Sequence, residues 1–400
     1  MKSRLLFTAM LIFVLSFPLF AQEKEKKSDS GYVFKMIKQN PSTSVKNQSR
    51  SGTCWSFSGI SFLESELLRM GKDTFDLSEM FCVRNAYSDK ATMYIRFQGK
   101  HNFSGGGAFH DVTDVLKKYG MVPEEVYSGK VIGEENHIHG EMDAVLASDV
   151  EVVIKNSNKK LTPVWHKGFE GLLDAYLGKI PEKFTYKGKE YTPTSFAQML
   201  GLNPDDYIEI SSYTHHPFYS PFILEIPDNW ALGEVYNLPL NEMMQVIDNA
   251  IDKGYTVAWG SDVSEKGFSW KNGVAVVPIK STPEMFGLES AKWSKLTDSE
   301  KDKLAYKFNK PIPEKTITQE MRQLEFDNYS TTDDHGMQIV GVANDQNGNK
   351  YYLVKNSWGL EGSPYKGFFY ASEAFVALKT TDLMIHKDAI PKDIRKKLGL

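Results

Sequence analysis

From residue 54 onward, apolar side chains recur at helical spacing. Ile60, Leu63, Leu67 and Met70 fall three and four residues apart, with Gly71 as a stop, which predicts a helix beginning near Cys54. "DLSEMFCVRNAY" predicts a second helix with Cys82 on its apolar side, beside Met80 and Phe81. "HNFSGGGAFHDVTDVLKKYG" reads as a glycine loop followed by a helix that ends at Gly120. Between residues 121 and 250 the pattern stays helical with proline breaks, in "GEMDAVLASDVEVVIKNSNKK", "GFEGLLDAYLG", "PTSFAQMLG" and "LNEMMQVIDNAIDKG". After residue 254 the texture becomes strand-like: "YTVAWGSDV", "GVAVVPI", "MQIVGVAND", "KYYLVKNSW" and "GFFYASEAF". Helices early and strands late predict an α+β fold, with residues 121–250 as a large helical insertion into its body.

The first residues have a different character. Lys2 and Arg4 precede the apolar run "LLFTAMLIFVLSFPLF" and then Ala21, the layout of an export signal over residues 1–21 with the mature chain starting near Gln22. The run falls short of the roughly 20 residues a membrane-spanning helix needs, and Pro18 lies near its end. The rival is an uncleaved anchor; no cysteine near the run supports a lipid anchor. An exported bacterial protein, periplasmic or secreted, is expected, with no stable membrane insertion after signal cleavage. The 47 basic and 51 acidic residues leave a net charge of -4, which gives no reason to expect nucleic acid as a partner.

Export makes the cysteine count informative, because secreted proteins commonly use cysteines in disulfide pairs. Here Cys54 and Cys82 are the whole supply. A 54–82 bridge is one possibility; a buried inert thiol suits Cys82 better. A helix starting near Cys54 sets that sulfur by unpaired backbone N–H groups and the positive end of the helix dipole, which favours thiolate. "GMQIVGVANDQNGNKYYLVKNSWG" predicts a β-hairpin about Asn347-Gly348. Pairing about that turn puts Asn356 opposite roughly residue 339 and His335 opposite roughly residue 360, at one end of the ribbon. A carboxamide beside an imidazole holds its orientation and tautomer, and a nearby thiolate completes a nucleophile, base and orienter.

"NQSRSGTCWSFS", "SGGGAFHDV", "DDHGMQIVGV" and "KNSWG" together resemble the papain-like cysteine peptidases, and are most similar to the bleomycin hydrolase and bacterial aminopeptidase C branch. The resemblance runs in order from about residue 33 to 395. It implies a papain-like fold, with a helical half and an antiparallel β half, and hydrolysis of peptide bonds without a cofactor or metal. It implies Cys54 as nucleophile, Gln48 as side-chain donor of the oxyanion hole, His335 as general base and acid, and Asn356 as its orienter. Trp358 resembles the indole shielding the Asn–His contact, and Gly106 and Gly107 the pair whose backbone binds extended substrate.

Two departures stand out. Ser51 occupies the position where papain has a cysteine, which the bleomycin hydrolase branch also lacks, and Thr53 replaces the small residue before the nucleophile. The spacing from Cys54 to His335 is about twice papain's, and the surplus coincides with residues 121–250. In the resembling branch such an insertion lines the cleft and builds a hexameric ring, so a homo-oligomer is expected. Few residues separate the expected signal from Cys54, so a long inhibitory pro-segment is not expected. In that branch the C-terminal carboxylate also captures the substrate's amine, which would make Leu400 the anchor of an aminopeptidase. Here "HKDAIPKDIRKKLGL" is short, and Arg395, Lys396 and Lys397 would repel an ammonium group. An endopeptidase or oligopeptidase with an open cleft is therefore the alternative, beside hydrolysis or transfer on non-peptide amides and a catalytically idle binding protein.

The remaining clusters are weaker. His137 and His139 with Glu134, Glu135 and Glu141 have a metal-ligating composition but read better as a solvated loop. His215 and His216 read as packing, and Asp333 and Asp334 as groups that hold backbone or tune His335.

Overall fold

The computed structural model describes residues 31–279 and 294–400; the expected signal over residues 1–21 lies outside the described residues. Strands in chain order are β1 (Lys35–Gln39), β2 (Phe184–Tyr186), β3 (Lys189–Tyr191), β4 (Tyr207–Ser211), β5 (Pro221–Ile223), β6 (Glu234–Asn237), β7 (Val257–Ser261), β8 (Phe268–Ser269), β9 (Val274–Ala275), β10 (His335–Asn344), β11 (Lys350–Lys355), β12 (Phe368–Ser372) and β13 (Thr380–His386). The helices are α1 (Cys54–Arg69), α2 (Glu79–Arg96), α3 (Phe109–Lys118), α4 (Gly140–Ile154), α5 (Val164–Leu177), α6 (Pro193–Leu200), α7 (Leu240–Asp252), α8 (Asp298–Ala305), α9 (Gln319–Asp327), α10 (Glu373–Lys379) and α11 (Lys392–Lys397).

All strands but β2 and β3 form one sheet, ordered β5-β6-β4-β13-β7-β10-β11-β12-β9-β8 with β1 on β10. The pairs β4–β6 and β9–β12 are parallel and the rest antiparallel. Successive side chains of a strand point to opposite faces, and the cores divide accordingly. Ala258 and Met384 join the core of α1 to α6, while Val257, Trp259, Leu383 and Ile385 join the core that buries α7. The sheet thus separates α1 from α7. This is the α+β class expected, with a helical half and a largely antiparallel half.

The helices begin where their sequence permits. Ser78 caps α2 by accepting from Phe81 N–H at 3.0 Å. Gly71 (φ 73°) follows α1 in the left-handed region that ends helices cheaply. The β10–β11 hairpin pairs Asn344 with Lys350, slips at a bulge between Ile339 and Gly341, and ends with Gln338 opposite Lys355. Asn356 follows directly, so the expected common end for His335 and Asn356 is present, about two residues out of the anticipated register.

The stretch 121–250 differs from a purely helical insertion. Through α6 it is helix-rich and packs on α1 to α3. Beyond residue 206, β4 hydrogen-bonds to β13 and β6 to β4, so this part belongs to the sheet. "YIEIS" has too little alternation to declare a strand; pairing with β13 decides it.

A buried polar network ties α1 to the hairpin. Ser61 Oγ donates to Gln338 Oε1 at 2.6 Å, Gln338 Nε2 donates to Ser65 Oγ at 2.8 Å and Thr256 Oγ1 at 3.0 Å, and Lys355 Nζ reaches Ser61 Oγ at 2.6 Å. A fully satisfied network of this kind fixes one relative placement of its elements. It sets the middle of α1 against the start of β10 and the end of β11.

Candidate active site

Cys54 is the first residue of α1, partly exposed, with Thr53 at the cap position. Its backbone packs beside Gly336, where an added Cβ would meet Ser58 Oγ and Phe109 as well as Cys54 itself. Gly336 follows His335, so the first residue of α1 lies beside the strand end that carries the imidazole. His335 is buried, with Nε2 2.8 Å from Asn356 Oδ1. Asn356 Oδ1 also accepts from Ser357 N–H at 2.7 Å, which pins the carboxamide. An acceptor on Nε2 fixes the proton there and leaves Nδ1 as the basic nitrogen. Trp358 stacks on the imidazole with centroids 4.7 Å apart.

Gln48 is buried, and its segment is tied to the Asn356–Trp358 segment by Gln48 N–H donating to Ser357 O at 2.8 Å. Its side chain is held at both ends: Nε2 donates to Ser51 O at 2.9 Å, and Oε1 accepts from Ser357 Oγ at 2.6 Å. One of the two amide N–H bonds remains for another acceptor. Ser51, where papain's cysteine would be, donates to Gln48 O at 2.8 Å and lies 2.6 Å from Thr53 Oγ1. Hydrogen bonds here do the bracing that a disulfide does elsewhere.

The glycine loop lies alongside. Gly105 packs on Gly52, and Trp55 Nε1 donates to Gly105 O at 3.1 Å. Gly107 lies over the Trp55 ring and Asp111, and Gly106 abuts the Asp228 carboxylate; a Cβ at either would collide. Lys90, fully buried on α2, donates to the carbonyls of Ser104 (2.8 Å) and Gly106. Burial pulls this ammonium down to about 8, against the pull of Asp111 and Asp228.

The electrostatics differ from the sequence expectation of a thiolate. Burial pushes the Cys54 thiol up to about 12; Asp228 and Asp333 push the same way, and the N–H groups of Gly336 and Trp55 act against it. Burial also pulls His335 below its ordinary range, with Asn356 and Asp334 opposing. Desolvation thus acts on both groups in the direction of their uncharged forms, against the preference a helix start gives a thiolate.

Other expectations resolve individually. Both cysteines are free thiols, which removes the 54–82 bridge, and Cys82 is fully buried. Leu400 is not at this site. Ile394 and Leu398 are buried in the core of α7, and Lys397 pairs with Glu242 of that helix at 2.6 Å, so the C-terminus lies across the sheet from α1. His137 and His139 are neither solvated nor grouped with acidic ligands. They are buried, with Arg50 N–H donating to His137 O at 3.0 Å, and burial pulls both down to about 4. Among the described residues, the group with metal-ligating geometry is His215, His216 and Glu225, on the surface. Asp334 accepts from Val263 N–H at 3.0 Å and Asp333 from Asp228 N–H at 3.3 Å, so both hold backbone. Ser357, Lys90 and Asp228 had no signal in the sequence. Ser357 is legible only as the middle of "NSW", and Asp228 lies in the stretch read as insertion.

Fold and site together define a papain-like cysteine peptidase. The papain family cysteine protease model matches residues 34–161, and the Peptidase C1-like family model matches residues 285–399. Its relatives include aminopeptidases and a bleomycin hydrolase, and the similarity runs along most of the chain. It is 22% identical to aminopeptidase C of Lactobacillus delbrueckii subsp. lactis, over 88% of this chain and 81% of that protein. It is 24% identical to aminopeptidase G of the same organism (90% and 84% covered) and 20% to bleomycin hydrolase of Mus musculus (91% and 84%). The crystal structure of PepW from "lactobacillus rhamnosis" shares the fold, with a TM-score of 0.68 at 19% identity over 92% of this chain and 85% of that one.

Proposed function

We propose that this cysteine peptidase is an aminopeptidase whose catalytic residues are Cys54, His335, Asn356 and Gln48. The observation that carries this reading is His335, fixed between Asn356 and Trp358 at the strand end that abuts the first residue of α1. Cys54 Sγ attacks the scissile carbonyl carbon as its proton passes to His335 Nδ1. The new oxyanion accepts from Cys54 N–H, a donor that the first turn of a helix leaves unpaired, and from Gln48 Nε2. As the tetrahedral species collapses, the C–N bond breaks and His335 gives its proton to the leaving amine. Water then loses a proton to His335 and attacks the thioester carbonyl; the acid product leaves and Cys54 recovers its proton. Relatives named aminopeptidases support release of N-terminal residues. The position of Leu400 favours a second reading, an endopeptidase with an open cleft, since the expected amine anchor lies elsewhere.

The deciding assay compares a free-amine aminoacyl amide with its N-acetyl form. A strong preference for the free amine is expected, and equal rates would sink the aminopeptidase reading. Export rests on the pattern of residues 1–21; N-terminal sequencing of the secreted or periplasmic protein should start near Gln22.

A further inference from the structure

We propose that segment 226–230 closes the cleft beside Cys54 and that the Asp228 carboxylate receives the α-ammonium of the substrate's N-terminal residue. This rests on the aminopeptidase reading and transfers to Asp228 the role expected of Leu400.

The segment is held from both sides of the site. On the helical side, Asn102 Nδ2 donates to Pro227 O at 2.8 Å, and Trp230 Nε1 donates to buried Asp111 at 2.7 Å; His101 meets Trp230 O. On the strand side, Asp228 N–H donates to Asp333 Oδ2, two residues before His335, at 3.3 Å. The turn is rigid within itself, because buried Asn229 donates to Leu224 O (3.0 Å) and Gly233 O (2.9 Å) and accepts from Gly233 N–H (2.7 Å). The strap therefore joins the loop carrying Gly106 to the segment leading into His335. Those two walls flank Cys54. On this proposal, a peptide lying along the glycine loop meets the strap with its N-terminal end, as an exopeptidase requires.

The chemistry of the strap suits an ammonium. Asp228 is half-buried, against Gly106, with Asn102 Nδ2 3.3 Å from Oδ1 and the Ser104 side chain also hydrogen-bonded. The cation that bears on it is Lys90, whose Nζ donates to the Ser104 and Gly106 carbonyls instead. Burial raises both Asp228 and Asp333, Lys90 opposes the rise at Asp228, and Asp228 raises Asp333 further, so the two carboxyls repel each other's charge and an added cation favours both. Both carboxylates also disfavour ionisation of Cys54. An arriving ammonium offsets that repulsion, so a free-amine substrate is positioned and also eases loss of the Cys54 proton. An N-acetyl group brings no charge and adds bulk against the strap.

The test uses the full-length protein, a free-amine aminoacyl amide, its N-acetyl form and its α-hydroxy analogue. Asp228→Asn should lower kcat/KM on the free-amine substrate roughly 10- to 100-fold, the worth of a charged hydrogen bond, with part of the loss in kcat. On the N-acetyl and α-hydroxy substrates, which bring no ammonium, the same variant should show no comparable loss, and any change should be a gain from easier ionisation of Cys54. Deleting residues 399–400 should leave the free-amine preference intact. An unchanged circular-dichroism spectrum and urea midpoint verify that the variant is folded; if it does not fold, the α-hydroxy analogue on the wild-type protein must still lose at least about tenfold. Retention of the free-amine preference in Asp228→Asn, or its loss on deleting residues 399–400, overturns the proposal while leaving the aminopeptidase reading in place. Absence of any preference in the wild type defeats that reading itself.

Discussion

On the proposed mechanism, replacing Gln48 by Ala removes one donor from the oxyanion site, and the structure separates that loss from its side effects. Gln48 is fixed by two contacts, Nε2 to Ser51 O (2.9 Å) and Ser357 Oγ to Oε1 (2.6 Å), so one N–H enters the reaction without reorganisation. Loss of a preorganised donor costs roughly 10²–10³ in turnover, about 2.7–4 kcal/mol. The variant also strands the buried Ser357 hydroxyl, a stability cost of about 1–3 kcal/mol that belongs to folding. Ser357→Ala keeps the carboxamide but removes the bond orienting it, and should lower kcat by roughly 2–10-fold, the net worth of one neutral hydrogen bond. The two effects should not add. Once Gln48 is Ala, Ser357→Ala has nothing left to orient. The assay is a double-mutant cycle in single-turnover acylation, with urea unfolding beside it. Turnover within about threefold of wild type in Gln48→Ala, or a full Ser357→Ala effect in that background, would refute the oxyanion assignment.

Cys54→Ala should abolish hydrolysis with folding intact, and Cys82→Ala should keep most activity, since Cys82 is sealed in the helical core; activity in Cys54→Ala would end the cysteine mechanism. Burial alone would lower His110, but Glu209, 3.0 Å from Nδ1, and Asp111 raise it to about 10. A raised imidazole stabilises the fold fully below its unfolded value of about 6.5, and the contribution is lost as pH rises through about 10. Glu209→Gln should therefore lower Tm most at pH 6–7 and converge toward wild type by pH 10; a gap independent of pH contradicts this. A homo-oligomer is expected, so light scattering at micromolar concentration should give a multiple of the mature chain's mass, somewhat below the 45.3 kDa of the full chain, and a monomer reading would exclude a ring.

Local pattern determined much of this protein. Helical spacing after Cys54, capping at Ser78 and the Asn347-Gly348 turn are short-range effects, so α1, α2 and the β10–β11 hairpin were legible without any tertiary partner. The hairpin alone brought His335 and Asn356 to a common end. Tertiary structure decided the rest. Strands β4, β6 and β13 exist through their pairing, and this drew the second half of 121–250 into the sheet. The upward push on the Cys54 thiol comes from burial and two carboxylates distant in sequence, against the local preference of a helix start. The C-terminus was placed by the burial of Ile394 and Leu398, which outweighs any reach toward the cleft. Asp228 meets Gly106 across more than a hundred residues, and no periodicity in a linear chain encodes a contact of that range.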